Sequence, residues 1–128
     1  MTVLGDMTVL WIAGAGAVGA CCRFLLTAVA ERSGAGRFPW ITVLINASGS
    51  LILGLLTGLL LFHQLDHRIW LIAGTGFCGG YTTFSTTSFE TVRLVQQGRY
   101  RAALGNAVGT ALLAMTAGAV GLSAAGVV

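Results

Sequence analysis

The chain has 128 residues, of which 55% are hydrophobic and only 9% are charged, and its mean hydropathy is +0.86. About a quarter of the residues in a soluble domain are charged, so this composition excludes an ordinary soluble domain. It predicts an all-α integral membrane protein, because apolar segments of about 20 residues cross a bilayer as helices.

Four apolar segments are long enough to span a membrane, at residues 8–30, 40–62, 69–95 and 102–128. The connections between them are short and polar, so we predict a single four-helix transmembrane domain over residues 1–128. The first segment lacks a small-residue cleavage site and contains Arg23, so we do not interpret it as a cleaved signal peptide.

Arginines are distributed unevenly between the two sides of the predicted bundle. The loops after the first and third segments carry Arg32, Arg37, Arg99 and Arg101, with Arg93 at the edge, whereas the opposite side carries only Arg68. The positive-inside rule therefore predicts that these two loops are cytoplasmic and that both termini lie outside.

Glycines recur at short intervals inside the apolar segments. The stretch GAGAVG, Gly14 to Gly19, matches a dinucleotide-binding fingerprint, but no strand precedes it and no alternating strand and helix follow. Gly54 and Gly58, and again Gly105 and Gly109, form G-x-x-x-G pairs. Small residues let membrane helices approach closely, so the pattern indicates helix packing.

A few polar side chains lie where polarity is costly, which makes them functional candidates. Asn46 must bond to another helix or to a ligand, and both interpretations stay open. Thr42 precedes it by four residues and shares its face. Arg23 either extends to a headgroup or faces an ion vestibule. Asn106 and Thr110 are the corresponding candidates in the fourth segment.

The third segment contains the stretch GGYTTFSTTSFE, residues 79–90, which is rich in hydroxyl side chains. Gly79 and Gly80, followed by Thr82 and Thr83, interrupt its middle, which predicts a helix broken at mid-membrane. Such a break exposes carbonyls that bind cations and amides that bind anions. The alternative is a kinked packing helix whose hydroxyls bond back to the preceding turn.

Three stretches resemble the Fluc/CrcB fluoride ion channel family: GAVGACCRF, PWITVLINASGSLILG and GTGFCGGYTTFSTTSFE. The resemblance implies a fluoride-selective passive channel of the inner (plasma) membrane, which exports fluoride from the cytoplasm and protects against its toxicity. It implies an antiparallel dimer of four-helix subunits, and neither enzymatic activity nor a nucleic-acid partner is expected. The second subunit is another copy or a homologous partner chain, inserted in the opposite orientation.

The same resemblance implies particular site residues. Backbone carbonyls of Gly79 and Thr82 would hold a structural sodium ion at the dimer centre. Fluoride is small and tightly hydrated, so a pore must replace its water with amides, hydroxyls and aromatic ring edges. The residues that the resemblance places on or near the fluoride route are Asn46, Phe84, Arg23, Thr42, Ser85, Glu90 and Thr110.

Three positions depart from the family pattern. Thr87 stands where a second phenylalanine is usual, and Phe89 points well away from the face of Phe84. Asn106 and Ala114 occupy positions where hydroxyl-bearing residues are common. We therefore expect one or both pores to be altered. Because opposed copies favour a near-zero arginine bias, we also hypothesise that this chain is one half of a heteromeric pair.

Two other classes of membrane protein remain as alternatives. A small multidrug-type antiporter requires a titratable carboxylate at mid-membrane in its first helix, and the acidic residues of this chain miss that place: Asp6, Glu31, Asp66 and Glu90. A non-conducting subunit, including one of a heteromeric fluoride channel, would leave the hydroxyl-rich break without a transport role of its own.

Overall fold

A computed structural model describes the backbone of residues 3–34 and 38–128 and the side chains of residues 7–34 and 38–128. Within these ranges all regular structure is helical, which confirms the all-α prediction. The helices are α1 (Val3–Arg32), α2 (Trp40–Phe62), α3 (residues 67–81), α4 (Phe84–Gln96) and α5 (Tyr100–Val127). Arg37, one of the arginines in the predicted cytoplasmic loops, lies outside the described residues.

Among the described residues, three helices are long and apolar enough to cross a membrane: Met7–Arg32 within α1, Trp40–Phe62 and Tyr100–Val127. They correspond to the first, second and fourth predicted segments, with α1 and α5 beginning a few residues earlier than expected. Large apolar side chains cover their outer surfaces, Phe24, Leu61 and Met115 among them. This arrangement is typical of an integral membrane protein.

The predicted third segment contains two helices. In α3, a first turn His67–Trp70 is followed by a π-helical stretch Leu71–Cys78 and a last turn Gly79–Tyr81. Thr82 and Thr83 are extended, and α4 begins at Phe84. The expectation that Gly79 and Gly80 leave the helix is wrong, because both are helical.

The helices pack as two pairs, α1 against α3 and α2 against α5. A Cβ added to Gly80 would collide with the backbone carbonyl of Gly16, and one added to Gly54 would collide with that of Gly118. These contacts explain why neither Gly80 nor Gly54 can carry a side chain, and they confirm the packing interpretation of GAGAVG at Gly16. At Gly14, Gly105 and Gly109, by contrast, a Cβ would meet nothing within 4 Å, so the close contacts expected for the last two are absent within the described subunit.

The small buried interior is unusually polar. Its apolar members include Val43, Ile45, Cys78 and Leu94, and its polar members are Thr42, Asn46, Thr87, Asn106 and Thr110. The polar members come from α2, α4 and α5. Because a buried polar group costs free energy unless it is hydrogen-bonded, the partners of these side chains define where a functional site is to be sought.

Candidate functional site

The side chain of Asn46 holds the interruption between α3 and α4. Its Oδ1 accepts from the backbone N–H of Thr83 at 2.8 Å, and its Nδ2 donates to the Thr83 carbonyl at 2.9 Å. The same Nδ2 donates to Thr87 Oγ1 at 3.0 Å. Asn46 therefore bonds to another part of the chain, and both of its N–H groups already have an acceptor.

Thr83 begins α4 as an N-cap. Its Oγ1 accepts from the backbone N–H of Thr86 at 3.2 Å, which satisfies one of the unpaired donors at a helix N-terminus. At the end of α3, Thr82 Oγ1 donates back to the carbonyl of Cys78 at 2.8 Å. Hydroxyl side chains of the stretch thus stabilise the end of α3 and the start of α4. The Thr82 bond is of the kind expected for a kinked packing helix, in which hydroxyls bond back to the preceding turn.

This arrangement takes the usual donors away from two carbonyls. In a continuous helix the N–H of Thr83 would bond to the Gly79 carbonyl, and the N–H of Thr86 to the Thr82 carbonyl. Here those donors bond to Asn46 Oδ1 and Thr83 Oγ1. A Cβ on Gly79 would meet nothing within 4 Å, so its surroundings are open. Carbonyl oxygens freed in this way suit a hard cation such as sodium, so these residues fit the expected ion.

Arg23 reaches from α1 to the same region. Its Nε donates to the carbonyl of Gly80 at 3.2 Å, next to the carbonyl of Gly79. Arg23 and Thr42 both line a cavity of about 220 Å³, together with Ala20, Phe24, Thr27, Ile45, Thr83 and Thr86. The guanidinium is part of the site and faces its cavity.

A second cavity, of about 280 Å³, lies between α2, α4 and α5 and brings Asn46, Phe84 and Thr110 together. Thr110 Oγ1 is buried and has no hydrogen-bond partner among the described residues. Phe84, the first residue of α4, is 87% exposed in the isolated subunit. Ser85 lies on the exposed surface, with its Oγ 3.3 Å from Thr83 Oγ1, and so stands apart from this group.

Glu90 lies farther along α4, at a third cavity of about 540 Å³ that Arg93 and Arg99 also line. Thr42 Oγ1 donates to Glu90 Oε1 at 2.8 Å, whereas Oε2 is buried without a partner in the described part of the chain. Since Thr42 lines the 220 Å³ cavity, this hydrogen bond joins a residue of one cavity to a residue of the other.

Two of the three departing residues, Thr87 and Asn106, are hydrogen-bonded to each other. Asn106 Nδ2 donates to the Thr87 carbonyl at 3.3 Å and to Thr91 Oγ1 at 2.9 Å, and Thr91 Oγ1 donates to the same carbonyl at 2.8 Å. Our sequence reasoning missed Thr91, although it follows Thr87 by four residues and so shares its helical face. Asn106 Oδ1 is buried and has no partner within the described residues.

Comparison with known proteins gives a consistent result. The family described as "CrcB-like protein, Camphor Resistance (CrcB)" matches residues 10–122. A protein of Leifsonia xyli subsp. xyli (strain CTCB07) named "Fluoride-specific ion channel FluC 1" is 49% identical over 116 residues, which cover 91% of this chain and 85% of that protein.

Two further relatives carry the same description. "Fluoride-specific ion channel FluC" of Koribacter versatilis (strain Ellin345) is 38% identical over 109 residues, covering 84% of this chain and 86% of its own. "Fluoride-specific ion channel FluC 1" of Thermobifida fusca (strain YX) is 41% identical over 118 residues, covering 87% and 95% respectively. The similarity therefore extends over nearly all of the described helices.

Proposed function

Because this chain belongs to the CrcB family, we propose that it is a fluoride-specific ion channel of the plasma membrane, which lets fluoride leave the cytoplasm passively and so protects the cell. The observation that carries the proposal is the similarity to proteins named fluoride-specific ion channels over nearly the whole chain. No bond is made or broken in this process, so the protein needs no catalytic residue.

The proposed route follows the three cavities. An anion enters beside Arg93 and Glu90, passes the Thr42 hydroxyl and reaches the cavity of Asn46, Phe84 and Thr110. The unpartnered Thr110 hydroxyl supports this route, because a buried donor gains free energy when an acceptor arrives. Fluoride supplies that acceptor, and the positive edge of the Phe84 ring adds a second contact.

We propose that the working unit is an antiparallel dimer with a sodium ion held by the carbonyls of Gly79 and Thr82. Exposure of the Phe84 ring and the open space beside Gly79 and Gly105 support a partner surface there. When bound, sodium neutralises the negative ends of the α3 helices of the two subunits. Replacing sodium with N-methyl-D-glucamine should lower the unfolding temperature of the purified protein, since removing a ligand of the native state destabilises it.

A second candidate is a non-conducting subunit of a heteromeric fluoride channel. The observation that favours it is that both N–H groups of Asn46 are already occupied, one of them by the departing residue Thr87. The arginine bias of the predicted loops points the same way, because a strongly biased chain inserts in one orientation.

Fluoride efflux from liposomes, followed with a fluoride electrode, tests the proposal. The chain is reconstituted alone and, in parallel, with a homologous partner of opposite arginine bias, and chloride efflux is the selectivity control. Flux from the chain alone supports a homodimeric channel, whereas flux only from the mixture supports the heteromer. Absence of fluoride flux from both preparations overturns the proposed function.

A further inference from the structure

We infer that Thr87 controls access of the transported anion to Asn46, by occupying the amide N–H that the anion needs. The inference rests on the proposed function and concerns the same site. It assigns a role to a residue that the resemblance to the family marks only as a departure.

The three hydrogen bonds of Asn46 are of two kinds. Two of them pair the amide with the backbone N–H and carbonyl of Thr83, which closes a ring and fixes the amide plane. The third runs from Nδ2 to Thr87 Oγ1, a side-chain acceptor in the wall of the 280 Å³ cavity. The N–H directed at Thr87 is therefore the one that an anion can take without undoing the helix start.

Thr87 is also held against displacement. Its carbonyl accepts from Asn106 Nδ2 and Thr91 Oγ1, so the backbone beneath its hydroxyl is tied to α5 and to the next turn of α4. Its Oγ1 lies 3.3 Å from the Thr83 carbonyl, to which it donates. Because a threonine side chain has few χ1 states in a helix, the hydroxyl leaves Asn46 only by a rotamer change.

Competition between two acceptors follows from this geometry. Fluoride carries a full negative charge, and hydrogen bonds to a charged acceptor are stronger than those to a hydroxyl oxygen. An anion that reaches the cavity can thus displace Thr87 Oγ1. Its net binding free energy is then reduced by the free energy of the Asn46–Thr87 hydrogen bond, which must break. A side chain without an acceptor at position 87 would remove this penalty. Asn106 helps to maintain the penalty, because its hydrogen bond to the Thr87 carbonyl holds Thr87 in place.

The test compares Thr87→Val, which has nearly the same shape but no hydroxyl, with Thr87→Ser, which keeps the acceptor. Thr87→Ala is a further hydroxyl-free variant should Thr87→Val fold poorly. Each protein is assayed for fluoride efflux over a range of fluoride concentrations, alone and with the partner chain.

We expect Thr87→Val to lower the half-saturating fluoride concentration by about fivefold, the factor that corresponds to one net intramolecular hydrogen bond. Maximal flux should not fall, which separates competition from structural damage, and Thr87→Ser should resemble the wild type. Conduction by Thr87→Val where the wild type does not conduct would also support the inference. An unchanged or raised half-saturating concentration in both hydroxyl-free variants, with conduction intact, would overturn the inference about Thr87 but leave the proposed function standing. Absence of flux in every protein and assembly would overturn the proposed function with it.

Discussion

The guanidinium of Arg23 in α1 donates through Nε to the backbone carbonyl of Gly80, one residue after a carbonyl that has lost its own helical donor. A cation is thereby fixed near the C-terminal end of α3, where the helix dipole favours positive charge. The contact also ties α1 to the point at which the chain leaves the helix. Arg23 therefore acts on the geometry of the proposed sodium site as well as on the cavity that it lines.

Arg23→Gln should lower the free energy of unfolding in detergent by about 2 kcal/mol, as expected for a lost hydrogen bond from a charged group. Chemical or thermal unfolding, followed by circular dichroism, measures the change. Arg101→Gln is the matched control, since Arg101 is exposed at the start of α5. Equal stability of the two variants would show that the Gly80 contact contributes nothing.

Gly80→Ala should destabilise the subunit by about 1–3 kcal/mol, the usual cost of adding an atom to a tightly packed contact. The added Cβ would meet the carbonyl of Gly16, which is backbone and cannot turn aside. Gly14→Ala, in open space on α1, should be neutral or slightly stabilising because alanine favours helix. Unfolding of both variants in the same detergent gives the comparison, and a harmless Gly80→Ala would contradict the packing.

Asn46→Leu should be more damaging than Ser48→Ala, because it leaves the N–H of Thr83 without its partner and leaves the Thr83 carbonyl with only the Thr87 hydroxyl as a side-chain donor. An unsatisfied buried group costs about 1–3 kcal/mol and the loss of one further hydrogen bond about 1 kcal/mol, so we expect a loss of about 2–4 kcal/mol in unfolding free energy. Ser48→Ala is a suitable comparison, since Ser48 makes one interhelical hydrogen bond, to Tyr81 Oη. A smaller loss for Asn46→Leu than for Ser48→Ala would refute the role of Asn46 as a clamp.

Phe84→Ile should reduce fluoride flux by up to about tenfold and leave dimerisation intact, because isoleucine has no ring edge to offer to an anion. Liposome efflux measures the first effect and size-exclusion chromatography with light scattering the second. Phe89→Ile, an exposed phenylalanine of the same helix, should conduct like the wild type. Unchanged flux in Phe84→Ile would exclude the ring as a ligand.

Apolar composition and length were enough to predict the long spans, because crossing a bilayer imposes a composition that few other structures share. Asn46 and Thr42 could likewise be recognised, since polar side chains are rare in such segments. The extended residues were harder to assign. Glycine adopts a non-helical conformation at low cost, which suggested a break at Gly80, but Gly80 packs against Gly16 within the helix. The extended residues are Thr82 and Thr83, and hydrogen bonds to Asn46 and to the Thr83 hydroxyl stabilise them there.

The hydrogen bonds between buried side chains of different helices could not be predicted from the sequence. Thr87 and Asn106 were visible as two separate departures, but their hydrogen bond joins residues on different helices and depends on how α4 lies against α5. Gly105 and Gly109 show the opposite error. Their spacing is the same as that of Gly54 and Gly58. Within the described residues, however, Gly54 and Gly58 face another helix, whereas Gly105 and Gly109 do not.

The pairing of α1 with α3 and of α2 with α5 means that neighbours in sequence are not the principal neighbours in space. As the chain emerges from the ribosome, α1 enters the bilayer before α3 exists, and α2 enters before α5. The glycine surfaces of the first two spans therefore stay open to lipid until later spans arrive. Synthesis of α5 covers the last of these surfaces, so a chain that stops before Tyr100 leaves Gly54 and Gly58 exposed to lipid.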